Sequence, residues 1–147
     1  MTFNRAGAEL HIPDGATETE AYARATILAV GAHPDDLEIM GMPGILKGLQ
    51  SPVPTFFGVV ATNGAGSLRS GEFSGLSHQA MQDIRVREQK AAADIGHYSA
   101  VALLGYGSAE MKDACDERPD GDLRALLKDI RPETVYLHNP FDRHDTH

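Results

Sequence analysis

The sequence predicts an α/β domain that has a mostly parallel sheet with helices on both faces. Short apolar runs of strand length alternate with longer helix-like segments along the 147-residue chain. The first two short runs are continuously apolar, which is typical of strands that are buried on both faces. Clusters rich in His and Asp follow the first and last of these runs, and ligands of such sheets bind beyond the carboxyl ends of the strands.

The first 24 residues are polar and mixed, and we interpret them as an N-terminal extension of a domain that spans residues 25–147. A short helix over residues 17–25 is one interpretation. An arm that packs on a neighbour is the alternative, and the sequence leaves both open.

The apolar runs predict four strands, and the segments between them predict three helices. Pro43 is placed near the first turn of the first helix, where proline is tolerated. Gly96 ends the second helix, and Arg131-Pro132 end the third. Residues 63–75 are rich in Gly and Ser and predict a loop. The predicted strands are 25–31, 54–61, 100–104 and 134–137, and the predicted helices follow Asp36 to about 49, 78–95 and 122–130.

Composition narrows the range of partners. The formal net charge of -8 argues against nucleic acid and anionic membrane surfaces, because phosphate binding needs clustered Lys and Arg. Cys115 is the single cysteine, so no internal disulfide forms and a cytoplasmic location is expected. No stretch reaches the roughly 20 apolar residues of a membrane span, and no signal peptide is visible.

The first polar cluster is His33-Pro-Asp-Asp36, which supplies one imidazole and two carboxylates. Zinc accepts both kinds of ligand. Adjacent carboxylates in an extended loop point in different directions, so one can bind a metal while the other faces a substrate as a general base. The alternative is a solvated turn with a capping Asp.

The second polar cluster contains His144 and His147, which one helical turn would place on the same face. Asp142 and Asp145 lie near enough in sequence to orient an imidazole. The alternative is a solvent-exposed polar segment. Together the two clusters predict a metal-dependent hydrolase with a metal-activated water. His138, at a strand end, is an alternative ligand or a supporting residue, and we prefer His147.

Three segments carry a family resemblance. The run from Ala32 to Asp36 after a buried strand resembles the first motif of the LmbE/PIG-L-like family. This family includes the N-acetylglucosaminyl-phosphatidylinositol de-N-acetylase and the mycothiol-pathway deacetylase. His144-Asp-Thr-His147 resembles the second motif, and Arg85-Val-Arg-Glu88 is similar to the Arg-x-x-Glu helix of the family.

The resemblance implies a Rossmann-like three-layer sandwich and a zinc-dependent N-deacetylase. By motif position, His33, Asp36 and His147 would bind Zn²⁺, although other divalent metals such as Fe²⁺ suit the same ligands. Asp35 would be the general base, and His144 would stabilise the oxyanion. The expected substrate is small and N-acylated, and an amino sugar or its conjugate is preferred. An amidase of thiol conjugates and an inactive metal-binding scaffold are the alternatives.

Arg85 is expected to hold the substrate, with a surface charge pair on the helix as the alternative. The second motif has Asp145-Thr146 where the family usually has Pro-Asp, so we expect Asp142 or Asp145 to orient a histidine instead. Typical family domains continue beyond the equivalent of His147. Residues 25–147 would therefore form the N-terminal two-thirds of a C-terminally incomplete domain, and homo-oligomer formation is left open.

Overall fold

The structure is a computed structural model that describes residues 2–147, and it contains one five-stranded sheet with helices on both faces. The strand order is β1-β4-β3-β2-β5, with β1 antiparallel to β4 and every other pair parallel. This arrangement confirms the predicted mostly parallel sheet and the Rossmann-like sandwich. The strands are β1 Glu9–His11, β2 Ile27–Gly31, β3 Phe56–Thr62, β4 Ala100–Tyr106 and β5 Thr134–Tyr136.

Six α-helices are present among the described residues, together with a single 3-10 turn at Gly71–Phe73. Helices α1 and α4 occur where the sequence predicts helices, and α6 contains the helix predicted over 122–130. The side chain of Thr17 caps α1, and that of Ser77 caps α4. The helices are α1 Glu18–Arg24, α2 Asp36–Met40, α3 Met42–Leu49, α4 His78–Ile95, α5 Ser108–Met111 and α6 Arg118–Ile130.

Alternate residues of the central strands face two separate cores. One face of β3 and β4 packs against α1 and α6 through the buried residues Phe57, Leu104 and Leu126. The other face packs against α2, α3 and α4, with Leu37 and Tyr98 among its buried residues. Every residue of β3 is buried, so the continuous apolar run reflects burial on both sides of the sheet.

Four local predictions need correction. The single helix predicted up to residue 49 is two helices, because the chain breaks at Gly41 and Pro43 then starts α3. Helix α6 begins at Arg118 rather than at 122, with a proline in its first turn. The short elements β1 and α5 were not predicted. Strand β4 continues to Tyr106, two residues beyond the predicted end.

The topology positions two carboxyl strand ends side by side. From β2 the chain moves outward to β3 and β4, and it then returns to place β5 on the opposite side of β2. The order reverses at β2, and such a switch point creates a crevice outside the strand ends. Both polar clusters follow strands at this point. No helix of the described residues is long and apolar enough to cross a membrane.

Candidate metal centre

The first polar cluster forms a tight turn at the end of β2. The His33 amide donates a 2.6 Å hydrogen bond to Asp36 Oδ2, and the Asp36 amide returns one of 3.3 Å to the His33 carbonyl. Gly31 allows this close approach, since a Cβ added there would lie only 2.8 Å from Asp36 Cβ. The Asp36 side chain is 13% exposed. Its carboxylate is thus held at the crevice floor.

Asp35 has an unusual backbone, with φ 92° and ψ -20°, directly before α2. Its carbonyl accepts from the amides of Glu38 and Ile39, and its own amide donates 3.1 Å to Gln89 Oε1. A non-glycine residue pays about 1–3 kcal/mol for such a conformation, which persists only where the surroundings hold it. The turn directs the Asp35 carboxylate outward, 60% exposed, whereas that of Asp36 faces inward.

The second polar cluster folds into a turn of its own. The His147 amide donates 3.0 Å to the His144 carbonyl, and the two imidazoles stack with ring centroids 4.3 Å apart. Asp142 Oδ2 lies 2.8 Å from His147 Nδ1. A carboxylate at this position accepts a hydrogen bond from Nδ1–H and leaves the Nε2 lone pair of His147 free. Asp145 instead lies 3.9 Å from Lys112 Nζ.

The two clusters meet at one point. Asp36 Oδ2 lies 3.4 Å from His33 Nδ1 and 3.9 Å from His147 Nε2. The His33 ring is 4.9 Å from that of His144 and 5.3 Å from that of His147, between centroids. Potential ligand atoms of His33, His144 and His147 lie within 4.8 Å of one another. The structure therefore brings together the residues at which both motifs place metal ligands.

His138 also belongs to this centre. Its Nε2 lies 3.1 Å from Asp36 Oδ2 and accepts from the Ala32 amide at 3.0 Å, and its ring stacks on His147 at 3.8 Å. Asp36, His138 and His147 form a second group whose ligand atoms lie within 4.8 Å. The motif positions in the sequence favoured His147 over His138 as a ligand. His138 lies just after β5, beside the end of β2. This position is the signal that would have favoured it as a metal ligand.

Burial controls the protonation of two of these imidazoles. It lowers the pKa of His33, and the neighbouring His144 and His147 lower that pKa further, although Asp36 opposes them. Burial also lowers the pKa of His138. The hydrogen bond from His147 lowers the pKa of Asp142. Neutral imidazoles beside ionised carboxylates are the forms that bind a divalent metal.

Arg85 on α4 reaches across to the first cluster. Its Nη2 donates 2.6 Å to Asp35 Oδ2 and also to the Pro34 carbonyl, while Nη1 donates 2.6 Å to Glu88 Oε2. The guanidinium therefore binds the outward carboxylate of the chain itself. Gln89 lies one helical turn further along α4, and its Oε1 accepts from the Asp35 amide, a contact that the sequence did not predict.

A cavity of about 560 Å³ opens over these residues. This volume is ordinary for a small-molecule site. His33, Asp35 and His144 line it, together with Arg85 and Thr62. The wall facing them comes from the loop that follows β3, including Gly64 and Ser67. Polar groups of both motifs therefore face one cavity that can admit a substrate.

Comparison with known families agrees with this geometry. The family model PIG-L, described as GlcNAc-PI de-N-acetylase, matches residues 28–147. The chain belongs to the PIG-L family. Searches of the curated proteins and of the solved structures give no significant match. Membership in the PIG-L family implies hydrolase activity of the deacetylase type on a small substrate, and the His and Asp cluster can hold a metal.

The imidazole and carboxylate groups at the centre suit a divalent metal. Imidazole nitrogens and a carboxylate oxygen converge from two segments that lie over a hundred residues apart. These are borderline ligands, which zinc and first-row divalent metals accept. Residues around the centre also hold potential ligands in place, as the Asp142 contact with His147 illustrates.

Proposed function

We propose that this chain is a metal-dependent N-deacetylase that hydrolyses an N-acetyl group on a small substrate, preferably an amino sugar. The convergence of His33, Asp36 and His147, next to an open cavity that His33 and Asp35 line, carries the proposal. Zn²⁺ is the preferred metal, and Fe²⁺ is compatible with the same ligands. When bound, the metal supplies Lewis acidity that makes a water nucleophilic near neutral pH.

In this proposal Asp35 is the general base. Its carboxylate lines the cavity and belongs to neither group of potential metal ligands among the described residues, whereas the neighbouring Asp36 carboxylate faces the histidines. Arg85 holds Asp35 Oδ2, which fixes the direction of the carboxylate and leaves the other oxygen available. Asp35 removes a proton from the attacking water and then delivers it to the leaving nitrogen as the C–N bond breaks.

His144 is suited to the amide oxygen of the substrate. The Thr146 amide donates to His144 Nδ1 at 3.3 Å, so a neutral ring carries its proton on Nε2. An Nε2–H group in the cavity wall donates to the carbonyl oxygen as negative charge develops there. Loss of one such donor costs roughly 100- to 1,000-fold in rate.

The test combines metal analysis with an assay for released amine. Elemental analysis of the purified chain should find about one zinc or iron per chain, and His33→Ala should lose it. With N-acetylglucosamine as substrate, we expect a free amine to appear with the unmodified chain. Asp35→Asn should keep the metal and lose turnover by about 100-fold or more.

Two results would reject the proposal. Absence of metal in the unmodified chain would contradict the site itself. Bound metal without hydrolysis of any N-acetylated sugar would instead support a metal-binding scaffold. Full turnover by Asp35→Asn would contradict the assignment of the base while leaving the hydrolase activity intact.

A further inference from the structure

A small side cavity of about 100 Å³ adjoins the larger cavity at the metal centre. Ser67, Leu68 and Arg85 line both cavities, so the two meet along these residues. The side cavity lies between the loop that follows β3 and helix α4. The proposed catalytic steps take place in the larger cavity and leave the side cavity without an assigned ligand.

Most of the side chains that line the side cavity are apolar. Leu68 and Phe73 come from the loop, and Met81 and Ile84 come from α4. Met81 is 3% exposed and belongs to the interior, whereas Leu68 is 88% exposed at the rim. A hydrocarbon group that covers such a rim removes apolar surface from water, which is favourable. The lining therefore suits an apolar ligand.

The charged groups of the side cavity are already paired. Arg85 and Glu88 are the two charged residues among those that line it. Arg85 Nη1 donates 2.6 Å to Glu88 Oε2, and Arg85 Nη2 donates 2.6 Å to Asp35 Oδ2. A charged ligand would therefore find no unpaired counter-ion in this lining, and its desolvation would be uncompensated.

Hydrogen bonds hold the loop that forms one wall of the side cavity. The Ser67 amide donates 3.0 Å to the Gly64 carbonyl, and Arg69 Nη2 donates 2.9 Å to the Ala65 carbonyl. Arg69 Nη2 also lies 2.9 Å from Nδ1 of His78, the first residue of α4. These bonds attach the loop to the helix on the opposite wall, so the side cavity is a built feature of the fold.

The volume of the side cavity limits the length of its ligand. A group of the size of water takes up roughly 30 Å³, so a cavity of about 100 Å³ holds about three such groups. An acetyl group ends one carbon beyond its carbonyl, whereas a butyryl group extends three carbons beyond it. A straight hydrocarbon chain of butyryl length therefore matches the volume.

We infer that the side cavity binds the hydrocarbon part of the acyl group, and that the protein accepts N-acyl groups longer than acetyl, with butyryl as the best match. This inference rests on the proposed hydrolase function of the larger cavity. Hydrolysis adds water across the C–N bond and releases a free amine and a short-chain carboxylic acid. Leu68 and Ile84 contact the acyl chain and determine the length that fits.

Acyl-chain selectivity is the first test. The full protein with zinc is assayed with N-acetyl-, N-butyryl- and N-hexanoylglucosamine, and the released amine gives kcat/KM. Burial of each methylene favours binding by about fourfold, so N-butyrylglucosamine should exceed N-acetylglucosamine by about tenfold. N-hexanoylglucosamine should gain nothing further, because its acyl chain is longer than the side cavity. A kcat/KM that is highest for acetyl, or that keeps rising to hexanoyl, would overturn the inference.

Variants of the lining sharpen this test. Ile84→Phe fills the side cavity and should lower the ratio of butyryl to acetyl kcat/KM about tenfold, to near one. Leu68→Ala removes the contact at an exposed residue, where folding is not at risk, and should lower the ratio about threefold. Ile95→Phe is the matched control, because Ile95 is 79% exposed on the same helix and lines neither cavity. An unaltered ratio in Ile84→Phe and Leu68→Ala would contradict the assignment.

A binding measurement separates this inference from the proposed hydrolase. Butyrate, the acid released from an N-butyryl group, is titrated into the isotope-labelled protein with zinc while methyl NMR signals are followed. Butyrate should shift the methyl signals of Leu68 and Ile84, acetate should not, and the Ile95 methyl signals should stay unchanged. These shifts in a protein that hydrolyses no N-acylated sugar would support the side cavity and reject the hydrolase. Their absence would overturn the side cavity, even if N-acetylglucosamine is hydrolysed.

Discussion

At the first motif, the carboxylates of two neighbouring residues point in opposite directions. Asp35 and Asp36 are adjacent, yet one carboxylate binds Arg85 and the other approaches His33, His138 and His147. The positive φ of Asp35 produces this divergence. Such strained residues cluster at functional sites, where the surrounding structure holds them.

This strain gives a stability prediction for Asp35. Asp35→Asn should unfold close to the unmodified chain, because Asn tolerates positive φ. In Asp35→Ala the free energy of unfolding should fall by a further 1–2 kcal/mol or so, because alanine has the full steric clash at this φ. Denaturant unfolding of both variants measures the difference. Equal stability of the two would show that the backbone at Asp35 is not strained.

A second prediction distinguishes Asp142 from Asp145. Asp142 contacts His147 Nδ1, whereas Asp145 is 84% exposed and lies near Lys112. Asp142→Asn should therefore weaken zinc binding by about tenfold or more, as measured by competition with a chelator. Asp145→Asn is the matched control and should not change it. Equal losses in both variants would contradict the contact.

Helix α4 acts as a supporting element for the site. Arg85 and Gln89 lie one turn apart on it and hold the Asp35 carboxylate and amide. Gln89 is 2% exposed and also donates 2.8 Å to Glu38 Oε1, which accepts from the Tyr98 hydroxyl. Burial and the Glu38 carboxylate raise the pKa of Tyr98, so the phenol remains a donor.

The hydrogen bonds of Gln89 predict a large loss of stability when this residue, which lies outside the motifs, is replaced. Gln89→Ala should lower the free energy of unfolding by about 1–3 kcal/mol or more, because the Asp35 amide loses its partner. Turnover should fall as well, since Asp35 loses support. Gln79→Ala on the exposed part of the same helix should cost less than about 0.5 kcal/mol. Chemical unfolding of both variants provides the measurement.

At the scale of the whole molecule, the centre joins segments that are distant in sequence. His33 and Asp36 follow β2, while His138 and His147 follow β5. The unfolded chain does not hold these groups together. A metal that binds them therefore stabilises the folded state selectively.

Zinc should raise the melting temperature of the unmodified chain. At a free concentration of about 100 times the dissociation constant, the gain is roughly 2.7 kcal/mol, or about 5–10 °C for a domain of this size. A chelator should reverse it, and His147→Ala should abolish it. His97→Asn is the control, because His97 lies outside both metal-binding groups and its φ of 48° suits Asn. A zinc effect retained by His147→Ala would contradict the centre.

Local sequence patterns predicted many of the elements. The four apolar runs became the parallel strands. In β2, β3 and β4 burial on both faces selects apolar residues, whereas β5 lies at the sheet edge and is largely exposed. Helix α4 was predicted over its full length, since residues 78–95 carry a helical apolar pattern and Gly96 marks the end. Strand β1 has three half-buried residues at a sheet edge and carries no such pattern. Helix α6 begins in a Pro-Asp-Gly sequence that is typical of turns.

By itself, the sequence determined the fold class and the two motifs, because burial and turn chemistry leave local signatures. Only the tertiary structure decided the strand order that puts β5 beside β2 and brings both motifs to one crevice. It also put Asp142 rather than Asp145 beside His147, placed His138 next to Asp36, and placed Gln89 on the Asp35 amide. These contacts depend on the directions of the side chains and on their distances in space. The spacing of residues along the chain reveals neither.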